Sequence, residues 1–454
     1  MNQERKKLVK KIASLCEPLL FLRPDGFGKS HLVSELATHF SQEKMPVLAL
    51  HFGERRYESE SDLDCVVQAA FSAWESVWHI ERPVFPMSEG ERFARCILGA
   101  KATTGKNPAI LIDDYDFPML SDGADFSSRS HFESVLSSLY GALSTHSAHV
   151  GFALLTGVTR QERLLKFAKP RDVSEDSDFS VAAGFSAGDV CALLAQKTDC
   201  ALDIQALSEW YGGYNFAGKT EIFNAGSVIR ALEAGNCISY FPAEECAKKA
   251  LERVQLANFD FSVLLKRSGL EATAEAFFDF NAENPSPIVF LVQTGFLTKK
   301  AFDKDFGTFS LFFPNRETRA VFFVEAARRF TAIVTTDAKI WAVDALRALE
   351  KDDLRTFFSL VNQALYSVGK KRLRDALTAL FGLMSVFSPC FFEDDGYFTL
   401  ATPSFLHTFA FDLDSIENAF ERLYKKTMRA GEKSVRKTGV LLSAESGVVG
   451  WRTM

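Results

Sequence analysis

Apolar and polar positions alternate in short blocks over the first 190 residues. Leu19–Leu22 is an unbroken apolar run of strand length, which predicts a buried strand. From His31 to Phe40, Leu32, Leu36 and Phe40 recur on one face at helical spacing. Further strands are predicted near 46–52, 109–113 and 150–156, and strands alternating with helices predict a parallel sheet. From about Gly184 to Phe330 the pattern turns mainly helical, with short β pieces at Ile288–Val292 and Thr308–Phe313. The block from about 335 opens with helices over Trp341–Leu349, Asp353–Tyr366 and Leu373–Met384. Strands near 385–392, 397–402, 404–412 and 439–444 follow, with a helix Ile416–Thr427 before the last. No internal repeat or low-complexity segment is present. These changes of pattern predict blocks at 1–190, 191–330 and 331–454.

Composition narrows the class. With 454 residues, 47% hydrophobic and 13% aromatic, the chain can bury two or three sizeable cores. Phenylalanine dominates the aromatics, 43 against 9 tyrosines, which speaks for aromatic cores and says little about chemistry. A net charge of −6 offers no global attraction to nucleic acid or to an anionic membrane. The local basic runs Lys370-Lys371-Arg372-Leu373-Arg374 and Lys425 to Lys437 read first as solvated helix faces. Eight cysteines (16, 65, 96, 191, 200, 237, 246 and 390) show neither a C-x-x-C pair nor metal spacing. They are expected as reduced, mostly buried thiols of a cytoplasmic protein. Glu17 and Pro18 break the apolar segment after the basic N-terminus, so a secretory leader is not expected. The longest uncharged run, Ala376–Phe392, holds Gly382 and Pro389 and reads as a core helix followed by a strand rather than a membrane span. A soluble protein without membrane contact is expected.

The candidate chemistry lies in Arg23-Pro24-Asp25-Gly26-Phe27-Gly28-Lys29-Ser30, between the first strand and its helix. At such a turn backbone N–H groups face an anion. In G-x-x-x-x-G-K-[ST] loops the lysine reaches the β/γ-phosphates and the hydroxyl holds Mg²⁺. Lys29 and Ser30 fit, whereas Arg23 stands where the first glycine belongs. Roughly eighty residues on, Pro108-Ala109-Ile110-Leu111-Ile112-Asp113-Asp114-Tyr115-Asp116 is an apolar strand ending in acids. A carboxylate at such a strand end meets the Mg²⁺ held by the loop hydroxyl. A buried strand running into an acidic turn is the plainer alternative. ATP and Mg²⁺ are the expected ligands, with Arg23, Gly26, Gly28, Lys29, Ser30 and His31 around the nucleotide and Ser30 and Asp113 at the metal.

Several segments in order along the chain carry a resemblance. They are Arg23-Pro24 with Phe27-Gly28-Lys29-Ser30, Leu111 to Asp116 followed by Pro118, and Leu155-Thr156-Gly157-Val158-Thr159. Gly184-Phe185, Trp210 to Phe216, Phe223-Asn224, Gln293 to Thr298 and Phe313 to Glu317 follow. Together they resemble the AAA-ATPase-like family that carries a C-terminal PD-(D/E)XK-type nuclease domain. The resemblance implies an α/β fold in three parts. These are a P-loop NTPase parallel sheet of AAA-like type over 1–190, a mainly helical lid and winged-helix-like region over 191–330, and an α/β restriction-endonuclease-like domain over 331–454. It also accounts for Arg23, because the family's loop is of the RPxxFGKS kind, with a proline whose fixed φ pre-sets the turn.

Carried over residue by residue, the resemblance implies phosphate and Mg²⁺ roles for Lys29 and Ser30 and a metal-side role for Asp113. Asp114 stands where the family usually has glutamate, as the water-orienting base, one methylene shorter. Thr156 is implied as a γ-phosphate sensor, with a structural threonine equally open, and Arg160 lies near it in sequence. The family's lid aspartate is Gly212 here, and the proline after Asn224 is Ala225. The nuclease motifs are degenerate. Tyr397 and Thr399 replace the arginine and aspartate of the first, and Ala410 and Asp412 replace the acid and lysine of the second. The fold is therefore expected without its metal site. Glu393, Asp394 and Asp395 form at most a relocated site and read more simply as a solvated turn. His146 and His149 lack a third ligand, and His407 reads as a lone polar residue in a strand.

Three functions remain open at this point. The first is a nucleotide-driven switch with slow hydrolysis, whose C-terminal domain binds a protein or nucleic acid. The second is a non-hydrolysing ATP-binding interaction protein, motivated by Asp114. The third is a residual metal-dependent DNA nuclease. Oligomerisation is open too; Arg316 is a candidate for an arginine supplied across a ring interface, with a salt-bridged structural arginine as its alternative.

Overall fold

The computed structural model describes residues 3–453 apart from 54, 83–84, 122, 198–200, 217–220, 242–243, 278–285, 335–336, 367, 370–371, 389, 394–396, 402–403, 412–435 and 446–447. Two compact units result. The first comprises Met1–Ser208, Gly212–Asn236 and Glu275–Gly295; the second comprises Glu209–Tyr211, Cys237–Ala274 and Phe296–Met454.

The first unit is built on β1 (Leu19–Leu22), β2 (Val47–His51), β3 (Ala109–Asp113), β4 (Phe152–Gly157) and β5 (Arg171–Asp172), in the order β2-β3-β4-β1-β5. Every pairing is parallel. The strands read as continuous apolar runs because both faces of the sheet are covered. Leu20, Leu22, Leu48, Leu50, Ile110, Ile112, Ala153 and Leu155 share one core with Leu63, Phe71, Phe93, Ile97, Phe132 and Leu136. Those partners come from the helices Glu60–Val77, Glu89–Thr104 and Phe126–Thr145. The alternate strand residues Leu19, Phe21, Ala109, Leu111, Phe152 and Leu154 share a second core with Val9 and Ile12 of the helix Gln3–Ala13. Leu32, Val33, Leu36 and Phe40 of the helix Lys29–Gln42 complete it. Period-two alternation thus feeds two cores, and the four strands predicted here are present within a residue or two of their expected ends. β6 (Phe185–Ser186) and β7 (Ile222–Phe223) form a small antiparallel ladder in the same unit.

Ile288–Val292, expected as a β piece, lies instead inside the helix Pro287–Gln293. Pro287 at the first helical position is pre-organised for a helix start, and a short apolar run does not tell strand from buried helix.

In the second unit β8 (Leu270–Thr273), β9 (Thr298–Asp303) and β10 (Thr308–Phe312) form an antiparallel sheet in the order β8-β10-β9. A mixed sheet runs in chain order through β11 (Cys390–Glu393), β12 (Tyr397–Ala401), β13 (Phe405–Phe411), β14 (Arg436–Glu445) and β15 (Val448–Thr453). Only β13 and β14 pair in parallel. The expected strand at 385–392 begins later, because Ser385, Val386, Phe387 and Ser388 close the preceding helix with turn hydrogen bonds. The expected helix Ile416–Thr427, Asp394, Asp395, Asp412 and most of the basic run from Lys425 lie outside the described residues. The cysteines correct expectation: among those described, Cys96 is buried, whereas Cys16, Cys65 and Cys191 are exposed. Cys65 and Cys191 occupy solvent-side positions of helices, where a small thiol carries little penalty. Among the described residues, no helix is long and apolar enough to cross a membrane.

Close helix packing gives a first test. A Cβ on Gly382, in the helix Leu373–Met384, would lie 2.1 Å from Phe323 Cδ1 of the helix Arg316–Phe330. Gly→Ala in an open helix stabilises by roughly 0.5–1 kcal/mol, but overpacking costs about 1–3 kcal/mol. Gly382→Ala is therefore expected to destabilise, read as a lower urea midpoint in equilibrium unfolding. A raised midpoint would mean the two helices part easily.

Candidate functional site

The carboxyl ends of β1, β3 and β4 lie side by side, where ligands bind in open parallel sheets. β1 runs into the loop Arg23–Gly28, and Gly28 caps the helix Lys29–Gln42. Gly26 and Gly28 hold φ of 82° and 86°, left-handed conformations that glycine takes without steric cost. Lys29 folds back over this loop: Nζ donates to Arg23 O at 3.1 Å and Pro24 O at 3.5 Å, and lies 3.4 Å from Asp25 Oδ1 and 3.3 Å from Asp114 Oδ1. The side chain is 5% exposed. Burial alone would lower its pKa, but the carboxylates of Asp114, Asp25, Asp116 and Asp113 outweigh that and raise it. The ammonium therefore stays charged at neutral pH.

Asp113 ends β3 and is nearly buried. Burial pushes its carboxyl upward, yet hydrogen bonds from His51, Ser30 and Thr156 leave it below the usual carboxylate range. Thr156 Oγ1, at the end of β4, donates to Asp113 Oδ1 and accepts the Asp114 amide at 3.2 Å. Ser30, Asp113 and Thr156 are thus brought together beside Lys29. Asp114 has φ of 53°, which turns its carboxylate back into the site. Burial raises its pKa first, and the Lys29 ammonium opposes this. Its Oδ2 lies where a Cβ on Gly53 would be, 2.2 Å away, so residue 53 tolerates no side chain while Asp114 keeps this position.

Asp116 was not singled out from the sequence. Fully buried, it accepts hydrogen bonds from Val158 N at 3.1 Å, Thr159 N at 2.6 Å and Thr159 Oγ1 at 2.7 Å. Burial pushes its pKa up to about 6 despite those bonds. It anchors the turn that follows Thr156.

Three further expected residues turn their side chains to other partners. The Arg23 guanidinium is buried and donates to Leu22 O at 2.8 Å, Ser174 O at 2.7 Å and Phe179 O at 3.3 Å. It lies 4.0 Å over the Phe216 ring and 4.4 Å over Phe21. Burial lowers its pKa to about 9. Arg23, expected among the nucleotide-binding residues, thus roots the loop through its side chain. His31 turns its imidazole outward, 74% exposed and 3.5 Å from Glu35. Arg160 is held by Glu162 and Asp172, with Nη1 2.9 Å from Asp172 Oδ2.

The remaining motifs of the first unit close around the loop. Phe27 packs edge-on to Tyr214 and Phe216 at centroid distances of 4.8 and 5.3 Å. Gly295, with φ of 82°, leaves the room its Cβ would take from Pro24. Gln293 Oε1 accepts the Arg160 amide at 3.2 Å. At Gly212, where the resembling family has aspartate, the Glu221 carboxylate fills the space and accepts Gly213 N at 2.7 Å. Ala225 takes the first position of a helix, one that also suits proline. His51, Asn224 and Gly184 reach the site through long-range contacts that local pattern does not register.

In the second unit Tyr397 faces Ala410 and Thr399 faces Thr408 across β12 and β13. Among the described residues, no group of three His, Cys, Asp or Glu side chains is placed to hold a metal ion. His407 is buried against Leu349 O, and Lys101 Nζ lies 3.1 Å from His149 Nδ1. Arg316 donates to Val386 O at 3.1 Å and lies over the Trp210 ring rather than in the expected salt bridge.

Residues 38–163 match a family model described as "AAA-ATPase-like: Predicted AAA-ATPase". An Azotobacter chroococcum mcd 1 relative, "Uncharacterized protein in vnfD 5'region", is 28% identical over 217 residues, spanning 43% of this chain and 42% of its own length. The match thus spans less than half of that relative. Two solved structures are similar, each at 12% identity. They are Cdc6p from Pyrobaculum aerophilum (71% of this chain, 93% of that chain, TM-score 0.32) and AMPPCP-bound DnaA from Aquifex aeolicus (67%, 83%, TM-score 0.28). Scores this low carry no argument about a shared ligand. The family match supports a nucleotide-binding NTPase of the AAA-ATPase-like type.

Asp116→Ala would leave two buried amides and a hydroxyl without their acceptor. The expected loss is roughly 2–4 kcal/mol, at about 1–3 kcal/mol per unsatisfied buried group with partial relaxation. Urea unfolding reads the loss, and hydrogen exchange is expected to quicken at 158–159. Unchanged exchange there would show that the turn holds without the carboxylate.

Proposed function

We propose that the first unit binds ATP with Mg²⁺ and works as a nucleotide-dependent switch with slow hydrolysis. One observation carries the reading: a buried, permanently charged Lys29 arches over a glycine loop beside a Ser30–Asp113 pair at the adjoining strand end. A structural lysine does not need this setting. An ammonium amid four carboxylates in a loop of left-handed glycines suits a polyanion that arrives with its own cation. The donor set fits the metal, since one hydroxyl and one carboxylate are what a hard cation bound chiefly through phosphates takes from protein. Ser30 and Asp113 would hold Mg²⁺, which supplies neutralisation of phosphate charge when bound.

The chain's own residues supply the rest. Gly26 and Gly28 let the backbone approach the phosphates, and Lys29 countercharges them. Asp114, whose pKa is raised, would orient the attacking water and accept its proton. Thr156 ties the strand ends carrying Asp113 and Asp114, so a change at the phosphates would pass to the turn held by Asp116. A second reading, a non-hydrolysing ATP-binding interaction protein, is favoured by the short Asp114 side chain wedged between Gly53 and Lys29.

The division into 1–190, 191–330 and 331–454, with a degenerate nuclease-like last part used for binding a protein or nucleic acid, belongs to this proposal. A residual nuclease would need acids at motif positions that carry Thr399 and Ala410. A cytoplasmic setting and any oligomeric ring are likewise proposals.

Lys29→Ala is expected to abolish ATP-dependent phosphate release. Asp114→Asn is expected to keep ATP binding and lose about a hundredfold in turnover, as for one well-placed transition-state contact of roughly 3 kcal/mol. Phosphate-release assays and calorimetric titration read the two effects. Wild type that binds ATP but releases no more phosphate than Lys29→Ala would establish the interaction-protein reading.

A further inference from the structure

The five carbonyls of residues 23–27 are all engaged by donors outside the loop backbone. Lys29 Nζ takes those of Arg23 and Pro24, Asn224 Nδ2 takes Asp25 O at 2.9 Å, Gly226 N takes Gly26 O at 2.8 Å and Gly184 N takes Phe27 O at 2.6 Å. In a trans peptide the C=O and the following N–H point in opposite directions, and the described residues contain no cis bond. Holding the carbonyls of Asp25, Gly26 and Phe27 therefore turns the amides of Gly26, Phe27 and Gly28 away from those donors. Among the described residues, no hydrogen bond takes up these three amide hydrogens. Successive free amides around left-handed glycines form an anion nest.

Asn224 is the hub of this arrangement. It is fully buried, and its Oδ1 accepts Ser227 N at 3.1 Å to cap the helix Ala225–Ala234. An N-cap is the ordinary duty of such an asparagine. Capping uses only the oxygen, however, and here the nitrogen is spent on the loop. A Cβ on Gly26 would come within 2.6 Å of Asn224 Oδ1, so the two fit only while residue 26 is glycine. Gly226, in the first turn of the capped helix, holds the next peptide plane.

We propose that Asn224 is a positioning residue for the triphosphate, fixing the nest and the first turn of the helix Ala225–Ala234 as one mechanical body. This rests on the ATP-binding reading. An anion drawn into the nest tightens the amides of residues 26–28, and Asn224 and Gly226 carry that order into the helix.

Two variants keep the cap and remove the nitrogen: Asn224→Asp and the uncharged Asn224→Ser. Both keep the cap, since Asn, Asp and Ser cap about equally, and both are expected to stay folded at about 25 °C with a midpoint lowered by the one orphaned acceptor at Asp25 O. Both are expected to bind Mg²⁺-ATP, and inorganic tripolyphosphate with Mg²⁺, roughly ten- to a hundredfold more weakly, the factor for one or two lost hydrogen bonds to a charged ligand. In wild type, ATP is expected to slow hydrogen exchange at 225–228, and in the variants not. Wild-type affinity in both variants overturns the proposal alone. Unfolding of both also overturns it, by making Asn224 a residue of stability. Wild type that binds neither probe removes the ATP-binding reading and this proposal together.

Discussion

The site depends on one ammonium group. Lys29 is buried beside Asp25, Asp113, Asp114 and Asp116, and its ammonium, 3.3 Å from Asp114 Oδ1, offsets part of the burial cost of that carboxylate's charge. The same ammonium draws in the carbonyls of Arg23 and Pro24, so it sets the shape of the loop as well as its charge. The acids outnumber it. A bare polyanion would meet net repulsion from this cluster, and a polyanion with its cation would not.

The sheet supplies the rigidity this cluster needs. β3, β4 and β1 are neighbours, buried on both faces, so the chain ends carrying Asp113, Thr156 and Arg23 cannot move apart without opening two cores. Thr156 Oγ1 cross-links two of those ends, and Arg23 N bonds to Gly157 O to join the third. Glycines appear where this crowding demands them. Gly157 would collide with Asp116 and Tyr115 if it carried a Cβ, and Gly184 with Phe27 and Ile222.

Much of the first unit was legible in local pattern. The unbroken apolar runs at 19–22 and 109–112, and the spacing of Leu32, Leu36 and Phe40, each report an environment set by near neighbours. The Lys29, Ser30, Asp113 and Thr156 cluster was legible because short motifs carried those positions. Asp116 was hidden in plain view, since the last of three acids at a strand end looks like a solvated turn until Val158 and Thr159 close over it. Asn224 and Gly184 stood in segments that carry the resemblance, but their contacts with the loop were hidden, since their partners lie about 200 and 157 residues away and no local period encodes such a contact. Ile288–Val292 shows the limit of short apolar runs, which fit a strand and a buried helical turn equally well.

The arginine at position 23 shows why the usual first glycine is dispensable in this loop. Glycine matters where φ is positive or where a Cβ would block an approach. Positive φ falls at Gly26 and Gly28, and Arg23 is not among the residues that adopt it. A side chain is therefore tolerated there, provided it can leave the site. The Arg23 guanidinium does so by running back beneath the loop to the carbonyls of Leu22, Ser174 and Phe179 and under the Phe216 ring. Pro24 adds a fixed φ next to it. The loop thus exchanges the freedom of a glycine for a buried root, and the aromatic segment around Phe216 becomes part of what holds the phosphate-type turn in place.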